Sequence, residues 1–470
     1  MAGFDVAVIG GGSAGCALAG RLALRTHLRI AVVEAGPDYG PRAGGAWPPD
    51  LLDAHHTSDS HDWDYAHSRA RVIGGCSTHN EAALVRALPG DYDAWAVPGW
   101  TDADLAPVIE DVTRAVPTRV CLRDELAAWQ RWFVDAAVAE GFPRLSDADA
   151  SPGAHGVAPF VQNVKDDVRW NAAFTFLDHV RTRVTVIDGV LADRLVLEGN
   201  RARALIAHGP DGPREIHAER FLLCAGVYGS PAILMRSGVG PAEHLRTLGI
   251  PVQAALRGVG ANLHDHPGVG FEYEPTARAR RAARDDESSG RFQESQVVLR
   301  AAPELHVVPY QTHDEGEWAF GILVYCMSPR SRGRVRLTSR DPAAAPSIEP
   351  ALLTDRGRRD LDALIDGVDL VHRLTRQAPL ADAIRRGPRR FAARSRRARF
   401  VGDNVTDYSH PVGTCRMGPS PRRGDVVDPR GRVHGLANVF VADASVVPRI
   451  PRANVNLTCY VIGTRVADLL

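Results

Sequence analysis

The chain has 470 residues, 44% of them hydrophobic, and its 56 basic and 56 acidic residues give a formal net charge of zero. This length and apolar content allow a sizeable core and predict two domains. The neutral balance argues against nucleic-acid binding as the main activity, because that activity relies on an excess of basic residues.

The cysteines and the first residues predict where the protein resides. Seven scattered cysteines without a C-x-x-C pair fit a reducing compartment without disulfides. The first predicted strand begins at Phe4, which leaves no room for a signal peptide, and no apolar run reaches the length of a membrane span. We therefore expect a cytoplasmic protein with no membrane and no nucleic-acid partner.

A glycine-rich turn follows the first predicted strand. The apolar, β-branched run Phe4–Ile9 predicts a buried strand, and residues 10–15 then fill the frame G-x-G-x-x-G. A helix is predicted for 14–25, followed by a second strand that ends at Glu34. Glu34 lies 22 positions after Gly12 (34 − 12), in the range for a carboxylate that binds a ribose diol.

This strand, turn and helix predict a dinucleotide site. A helix N-terminus offers free N–H groups and a partial positive charge to a pyrophosphate, and glycines remove side chains that would block it. The residues expected at the site are Gly10, Gly12, Ser13, Ala14, Gly15, Glu34 and Ala35. The motif alone does not distinguish FAD from NAD.

The segment Arg71–Asn80 carries a more specific signal. Its glycine pair lets the backbone approach a flat ligand, and a histidine follows where it could lie against the edge of that ligand. The candidate cofactor contacts here are Arg71, Gly74, Gly75, His79 and Asn80. Together with His410 and Asn454 near the end of the chain, the segment points to a flavin enzyme.

The middle of the chain predicts further elements. Helices are expected at 101–116, with Thr101 as N-cap, and at 124–140, and a loop-like stretch at 141–165. Strands are expected at 184–187, 194–197 and 202–207. Another buried strand ends at Ala225 and Gly226 and leads into a helix, which predicts a second nucleotide-binding turn.

The pattern changes between residues 268 and 405. Alternating segments such as 305–308 and 334–337 predict an antiparallel sheet, and the charged segment 277–290 predicts a loop. The chain then returns with a strand at 439–443 and a final helix from about Asn456. These last elements are expected to rejoin the first domain.

Motifs along the chain, in family order, resemble those of the glucose–methanol–choline (GMC) oxidoreductases. They lie at 70–80 with 91–95 and 99–100, and at 230–241, 260–267, 410–418, 441–445 and 454–456. The likeness spans nearly the whole chain and implies an α/β fold with a Rossmann-like FAD-binding domain of the GMC type. A discontinuous α+β substrate domain would be built on an antiparallel sheet. The implied divisions are 1–140, 181–267 and 406–470 for FAD binding, and 141–180 and 268–405 for the substrate.

The resemblance also implies how FAD is held. Ala192 stands where relatives place a residue whose backbone meets the adenine, and further contacts are implied for Ala225, Gly226, Asp443, Ala444, Asn454, Val455 and Asn456. The Gly-Gly-Cys-Ser-x-His-Asn form of residues 74–80 is similar to choline oxidase-like members, in which the histidine is bonded to the flavin 8α-methyl carbon. By that likeness FAD is attached covalently through His79. The alternative is a histidine that only packs on the dimethylbenzene edge.

The activity implied by the resemblance is oxidation of a small-molecule alcohol to an aldehyde or ketone. A base removes the hydroxyl proton while hydride passes from carbon to flavin N5, and His410 stands at the family's position for that base. Asn454, 44 residues later (454 − 410), stands at the second active-site position, where its amide orients the alcohol and stabilises alkoxide charge. The alternative for His410 is a buried, hydrogen-bonded histidine before a proline.

Glu81 departs from the family pattern, because many relatives have glycine there and choline oxidase has a small hydroxyl residue. The resemblance implies that this backbone lies close to flavin N5 and the substrate. Either its carboxylate makes a structural hydrogen bond away from the pocket, or it faces the pocket and favours a cationic substrate such as an amino alcohol or amino sugar. Acidic residues of the second domain fit the latter hypothesis: Glu294, Asp314, Glu315 and Glu317.

Several alternatives stay open. The electron acceptor is either oxygen or a quinone-like carrier, and the protein is either a monomer or a homodimer. Competing functions are a flavin-dependent decarboxylase or lyase with the same fold, an NAD-dependent dehydrogenase, and a non-catalytic flavin-binding protein. No metal is expected, because the histidines at 264 and 266, or at 55, 56 and 61, do not form a convincing ligand set.

Overall fold

The computed structural model describes residues 3–65, 67–150, 153–302, 304–314, 316–388 and 391–470. The helices in these ranges are α1 Ser13–Arg25, α2 Pro49–Leu52, α3 Asp102–Ala115, α4 Ala128–Ala139, α5 Ala172–Phe176, α6 Gly226–Arg236, α7 Ala242–Thr247, α8 Ala277–Ser288, α9 Arg359–Leu374, α10 Arg394–Asn404 and α11 Asn456–Leu469. The strands of the first half are β1 Phe4–Ile9, β2 Ile30–Val33, β3 Arg119–Val120, β4 Gly156–Pro159, β5 Val161–Gln162, β6 Val164–Lys165, β7 Val168–Arg169, β8 Val184–Ile187, β9 Leu191–Glu198, β10 Arg201–Gly209 and β11 Gly212–Leu223. The remaining strands are β12 Val239–Gly240, β13 Ala254–Ala255, β14 Ala261–Leu263, β15 Pro267–Pro275, β16 Val297–Ala301, β17 Leu305–Asp314, β18 Glu317–Cys326, β19 Gly333–Arg336, β20 Ser347–Glu349, β21 Ile384–Arg386, β22 Thr406–Asp407 and β23 Val439–Val441.

A parallel sheet organises the first part of the fold. Its strands pair in the order β8–β2–β1–β11–β23, all parallel, and β10 and β9 extend it as an antiparallel meander from the first half of β11. The middle strands are buried, as their continuous apolar runs predict. The predicted βαβ unit is confirmed, with α1 beginning at Ser13 and β2 ending one residue before Glu34.

The carboxyl ends of these parallel strands meet at one edge, where open α/β sheets place their ligands. Gly10, Glu34, Cys224 and Asp443 follow β1, β2, β11 and β23 within two residues. Helices α1 and α11 both begin at this edge and pack closely, because Gly463 leaves room for the Ala14 carbonyl oxygen, which would lie 2.2 Å from a Cβ there.

A second large sheet is antiparallel, with the order β21–β15–β18–β17–β16–β4 and with β22 also pairing with β15. Helices α4 and α9 cover one face through an apolar cluster that includes Trp129, Phe133 and Leu364. The other face carries a smaller cluster, with Val298, Val308 and Tyr325, which packs against Ala83, Ala453 and Tyr408. This second face therefore borders the segments expected to carry the chemistry.

Several predicted elements need correction. The stretch 141–165 was expected to be a loop, but it contains strands β4 to β6; β4 pairs with β16, and such long-range pairing overrides the local glycine and proline signals. The helix predicted for 124–140 begins only at Ala128. The strand predicted near 334–337 exists, but it belongs to a separate antiparallel sheet with β14 and β20.

The charged segment 277–290 was predicted to be a loop and is instead helix α8. Thr276 caps it by accepting a hydrogen bond from the Ala279 N–H. Ala279 and Ala283 are buried, and so is Asp286, whose carboxylate accepts from the Ala128 N–H at 2.6 Å. The prediction failed because the buried face of α8 consists of alanines and one paired acid instead of large apolar residues.

Candidate active site

One cavity of about 500 Å³ runs along the carboxyl edge of the parallel sheet and continues under the second sheet. Most of the residues predicted for the site line this cavity: Gly10, Gly12, Ser13, Ala14, Glu34, Ala35, Gly75, His79, Asn80, Glu81, Ala192, Ala225, Gly226, His410, Asp443, Ala444, Asn454, Val455 and Asn456. The structure therefore brings together residues from both ends of the chain, as the sequence predicted.

Three of the predicted contacts do not line the cavity. Gly15 packs against the strand-to-helix turn, where a Cβ would lie 2.0 Å from the Gly10 carbonyl oxygen. Gly74 has a left-handed backbone (φ 91°) and joins two loops by donating its N–H to the Gly11 carbonyl at 2.7 Å. Arg71 is exposed and lies over the ring of Trp63. Gly15 and Gly74 therefore support the turns that line the cavity, and Arg71 contacts Trp63, which lines it.

The glycines of the first turn have different roles in the predicted nucleotide site, which consists of residues 10–15 and Glu34 and is called the nucleotide cradle below. Gly10 adopts φ 103°, and a Cβ there would lie 2.4 Å from the Cys224 carbonyl oxygen, so it allows the tight turn. At Gly12, by contrast, the nearest atom to a Cβ would be Gly75 Cα at 3.7 Å, so its open side faces the cavity. A ligand can therefore approach the N-terminus of α1 closely.

Glu34 closes the other side of this cradle. It is 6% exposed, and its two carboxylate oxygens accept from the N–H groups of Gly11 and Gly36, both at 2.8 Å. Burial raises the pKa of Glu34. The carboxylate lies at the carboxyl end of β2 and lines the cavity, which is the position that a ribose diol requires.

His79 is the side chain that fits a covalent cofactor link. It is 8% exposed, it lines the cavity, and its Nδ1 atom is buried without a hydrogen-bond partner among the described residues. The preceding turn, Gly75–Thr78, is held by Ser77, which donates to the Gly74 carbonyl and accepts from the Ala172 N–H. A buried nitrogen left without a partner costs free energy unless a ligand engages it.

Cys76 and Arg69 border the same region and were not predicted as site residues. The Arg69 Nη1 atom lies 3.9 Å from Cys76 Sγ, and Arg69 Nη2 donates to the Ser409 carbonyl at 3.0 Å. Burial opposes ionisation of the Cys76 thiol, but the charge of Arg69 and the contact with His79 together outweigh it, and the pKa of Cys76 falls to about 6. Arg69 thus links the histidine-bearing turn to the loop before His410.

His410 and Asn454 meet at the wall of the cavity. The Asn454 Nδ2 atom lies 3.3 Å from His410 Nε2. His410 also contacts His266, with 3.3 Å between their Nδ1 atoms. Burial lowers the pKa of His410 well below its usual value, so its imidazole is neutral at physiological pH.

The hydrogen bonds around His266 fix which nitrogen of His410 is basic. His266 Nε2 lies 3.0 Å from the Pro451 carbonyl, which can only accept, so the proton of a neutral His266 sits on Nε2. Its Nδ1 atom is then an acceptor, and His410 must donate to it from Nδ1. His410 Nε2 is therefore unprotonated, in agreement with the amide donor of Asn454 that faces it.

The tripeptide 264–266 forms hydrogen bonds with the two loops that carry His410 and Asn454. His264 Nε2 accepts from the Ile450 N–H at 3.0 Å, and Asp265 accepts from backbone N–H groups of His266 and His410. His264 Nδ1 lies 2.7 Å from the Asn262 carbonyl, so both ring nitrogens of His264 and of His266 are engaged in protein hydrogen bonds. Within the described residues, no cluster of three or more His, Cys, Asp or Glu side chains is arranged to hold a metal ion.

Tyrosines that the sequence did not single out complete the cavity wall. The rings of Tyr325 and Tyr408 stack at 3.7 Å between centroids and 2° between planes, and Tyr408 lies 4.3 Å from the His410 ring. Tyr408 stands two residues before His410, which was a usable signal. Tyr325 comes from β18 in the second sheet, and only the tertiary fold brings it here.

Glu81 faces the cavity, whereas two of the other acids noted in the sequence lie elsewhere. Asp314 and Glu317 pair with each other at the tip of the β17–β18 hairpin, and Glu315 lies outside the described residues. Glu294 is near the cavity and accepts from the N–H and hydroxyl of Thr57.

The nucleotide cradle, the His79-bearing turn and the His410–Asn454 pair line one cavity, an arrangement that fits a flavin-dependent oxidoreductase. Profiles described as GMC oxidoreductase match residues 4–268 and 329–463. The chain belongs to this family, whose members are FAD-dependent alcohol oxidoreductases, and the NAD-dependent alternative is therefore set aside. None of the helices in the described ranges is long and apolar enough to cross a membrane.

Characterised relatives resemble the chain over nearly its whole length. 5-(Hydroxymethyl)furfural oxidase of Methylovorus sp. (strain MP688) is 29% identical over 99% of this chain and 98% of the relative. Choline oxidase of Arthrobacter globiformis is 28% identical over 99% and 94%. The crystal structure of pyridoxine 4-oxidase from Mesorbium loti superposes with a TM-score of 0.86, at 27% identity over 99% of this chain and 98% of that one.

Proposed function

We propose that the protein oxidises the hydroxyl group of a small polar alcohol to an aldehyde or ketone, with His410 as base and Asn454 as its partner. The observation that carries this proposal is the neutral His410, whose Nε2 lone pair faces the cavity end and the Asn454 amide. A base of this kind takes the hydroxyl proton only if it is unprotonated at working pH.

The proposed step uses the contacts described above. The alcohol hydroxyl gives its proton to His410 Nε2, and Asn454 Nδ2 donates to the oxygen as negative charge develops there. When bound, FAD supplies the acceptor for the hydride that leaves the carbon bearing this oxygen. The proton cannot leave through His266, because His266 donates to a carbonyl that passes no proton on. It therefore stays on His410 or leaves toward the cavity.

FAD would be held by the groups that line the long part of the cavity. The glycine turn and the N-termini of α1 and α11 suit the pyrophosphate, Glu34 suits a ribose, and Ala192 borders the adenine end. His79 would form the covalent link. We also propose that residues 1–140, 181–267 and 406–470 form the FAD-binding domain, and 141–180 and 268–405 the substrate domain.

We infer that the substrate bears an amine, as an amino alcohol or amino sugar does, because Glu81 brings negative charge to the cavity wall. We propose oxygen as electron acceptor, by likeness to relatives named as oxidases. All seven cysteines are unpaired, which supports a cytoplasmic protein.

An anaerobic alcohol screen tests the proposed function. Purified protein is mixed with uncharged, amine-bearing and sugar alcohols, flavin bleaching is followed by absorbance, and air is then admitted. We expect bleaching by at least one alcohol and recovery of the yellow colour in air. Release of carbon dioxide from a carboxylic acid under light, without net flavin bleaching and with no response to any alcohol, would favour the decarboxylase instead. No response at all would favour a non-catalytic flavin-binding protein.

A further inference from the structure

Glu81 carries an uncompensated carboxylate at the wall of the cavity. It directly follows His79 and Asn80, and the part of the residue that is not buried faces the cavity. Among the described residues, its side chain forms no hydrogen bond and no ion pair. A carboxylate in such a place is costly unless a ligand compensates it.

The backbone around Glu81 is fixed on its C-terminal side. The Ala82 N–H donates to Asn80 Oδ1 at 3.0 Å, and the Ala82 carbonyl accepts from the Asn163 N–H at 2.8 Å. Ala82 itself adopts a left-handed conformation (φ 57°), which costs an alanine about 1 kcal/mol. These contacts keep the Glu81 side chain at the cavity instead of letting the turn relax away from it.

The charges near Glu81 do not neutralise it. Arg169 is the positive side chain that acts on it, but both terminal nitrogens of this arginine donate to the carbonyls of Thr78 and His56. Glu294 adds a second negative charge. Burial first, and Glu294 next, raise the pKa of Glu81 to about 7. The negative charge of Glu81 in turn contributes to raising the pKa of the hydroxyls of Tyr325 and Tyr408.

A second group at the cavity also lacks a partner. Asn454 is 8% exposed, and its Oδ1 atom is buried without a hydrogen-bond partner in the described part of the chain, while its Nδ2 atom serves His410. The Tyr408 hydroxyl neighbours both Asn454 and Glu81. The open oxygens of Asn454 and of ionised Glu81 can only accept hydrogen bonds. The Tyr408 hydroxyl, which has no partner in the described part of the chain, can donate to only one of them, so a matching ligand must bring donors.

We propose that Glu81 selects a substrate whose amine is protonated and keeps N–H hydrogens, as in a primary or secondary amino alcohol or an amino sugar. This inference rests on the proposed alcohol oxidation. A primary ammonium offers three donors as well as its charge, and the stacked rings of Tyr325 and Tyr408 add a favourable surface for a cation. A quaternary ammonium offers no donor and would leave the acceptor oxygens of Glu81 and Asn454 unpaired.

Matched substrates test the proposal on the FAD-loaded protein. The values of kcat/KM are measured at pH 8 for 2-aminoethanol, choline and propan-1-ol, and for glucosamine against glucose. We expect the wild type to prefer at least one amine over its uncharged counterpart, and 2-aminoethanol over choline, by tenfold or more. Equal use of the uncharged alcohols, or a preference for choline, would overturn the inference.

Variants of Glu81 test whether this residue causes the preference for the amine. Glu81→Gln should lower the ratio of kcat/KM between the amine and the uncharged alcohol at least tenfold, mostly through KM for the amine. Glu81→Asp should keep that ratio within about threefold, and Glu317→Gln, which removes an exposed acid at the β17–β18 hairpin, should not change it. An unchanged ratio in Glu81→Gln would overturn the inference.

The pH dependence adds a signature that a merely structural glutamate lacks. The wild-type ratio should fall as the pH drops through about 7, because Glu81 then gains a proton, whereas the Glu81→Gln ratio should not respond. The groups that surround Glu81 in this titration are Glu294, Arg169, Tyr325 and Tyr408. If no alcohol is oxidised by any variant, the proposed function fails; if alcohols are oxidised without an amine preference, this inference alone fails.

Discussion

His266 and His410 face each other through Nδ1 atoms 3.3 Å apart, and this contact sets the tautomer of the base. Because His266 donates from Nε2 to the Pro451 carbonyl, it can only accept at Nδ1. His410 is thereby held with its lone pair at Nε2, toward Asn454. Burial lowers the pKa of His266 to about 3, so a charged state does not disturb this pairing at neutral pH.

Replacing His266 should therefore slow the reaction without removing the base. In His266→Ala, His410 loses the acceptor for its Nδ1–H and populates both tautomers, so anaerobic flavin reduction should slow about ten- to a hundredfold. His266→Asn can accept from His410 and donate to Pro451, so it should recover most of the rate. Equal rates in both variants would show that His266 acts only through packing.

The proposed link to FAD predicts a chemical difference in His79→Ala. Acid precipitation of the wild type should leave the yellow colour in the pellet, whereas the variant should release its flavin into the supernatant. His217→Ala, an exposed histidine outside the cavity wall, is the matched control and should behave as the wild type. Flavin that stays with precipitated His79→Ala would contradict the link.

The buried position of His410 predicts the pH profile for an uncharged alcohol. Since its pKa lies well below the ordinary value of 6.5, the base stays unprotonated as the pH falls through 6.5. The acid limb of kcat/KM should therefore lie below pH 6.5. A rate for propan-1-ol that drops already between pH 7.5 and 6.5 would show that another group, or a charged His410, controls the step.

Glu81 predicts a stability difference that depends on pH. Its folded pKa of about 7 exceeds the ordinary value of 4.5 that applies in the unfolded chain, so the folded state binds the proton more tightly. The wild type thus loses stability relative to Glu81→Gln as the pH rises from 4.5 to 7. The variant should be more stable by about 2–3 kcal/mol at pH 8 and by little at pH 4.5. Thermal unfolding of the FAD-loaded, substrate-free proteins measures this, and a constant difference across the range would contradict the assignment.

Local patterns predicted the nucleotide half of the site because its chemistry depends on short-range geometry. The glycine turn at 10–15 and Glu34 after β2 follow directly from strand, turn and helix signals. Helix α8 and strand β4 were missed because their identity depends on what they pack against.

The catalytic end was only partly predictable. His410 and Asn454 were found through family motifs, and the 264–266 tripeptide was visible as part of another motif. The role of His266 was not, because it depends on a contact with a residue 144 positions away. Tyr325 has no local signal, since it reaches the cavity only through the register of the second sheet.

The most direct measurement is the rate of anaerobic flavin reduction in His410→Ala, followed by stopped-flow absorbance with a saturating alcohol. The variant should bind FAD normally, because the side-chain hydrogen bonds of His410 are to His266 and Asn454 and not to the glycine turn or Glu34. Loss of the base should slow reduction about a hundredfold or more. Near-normal reduction in a variant with full flavin content would contradict the account.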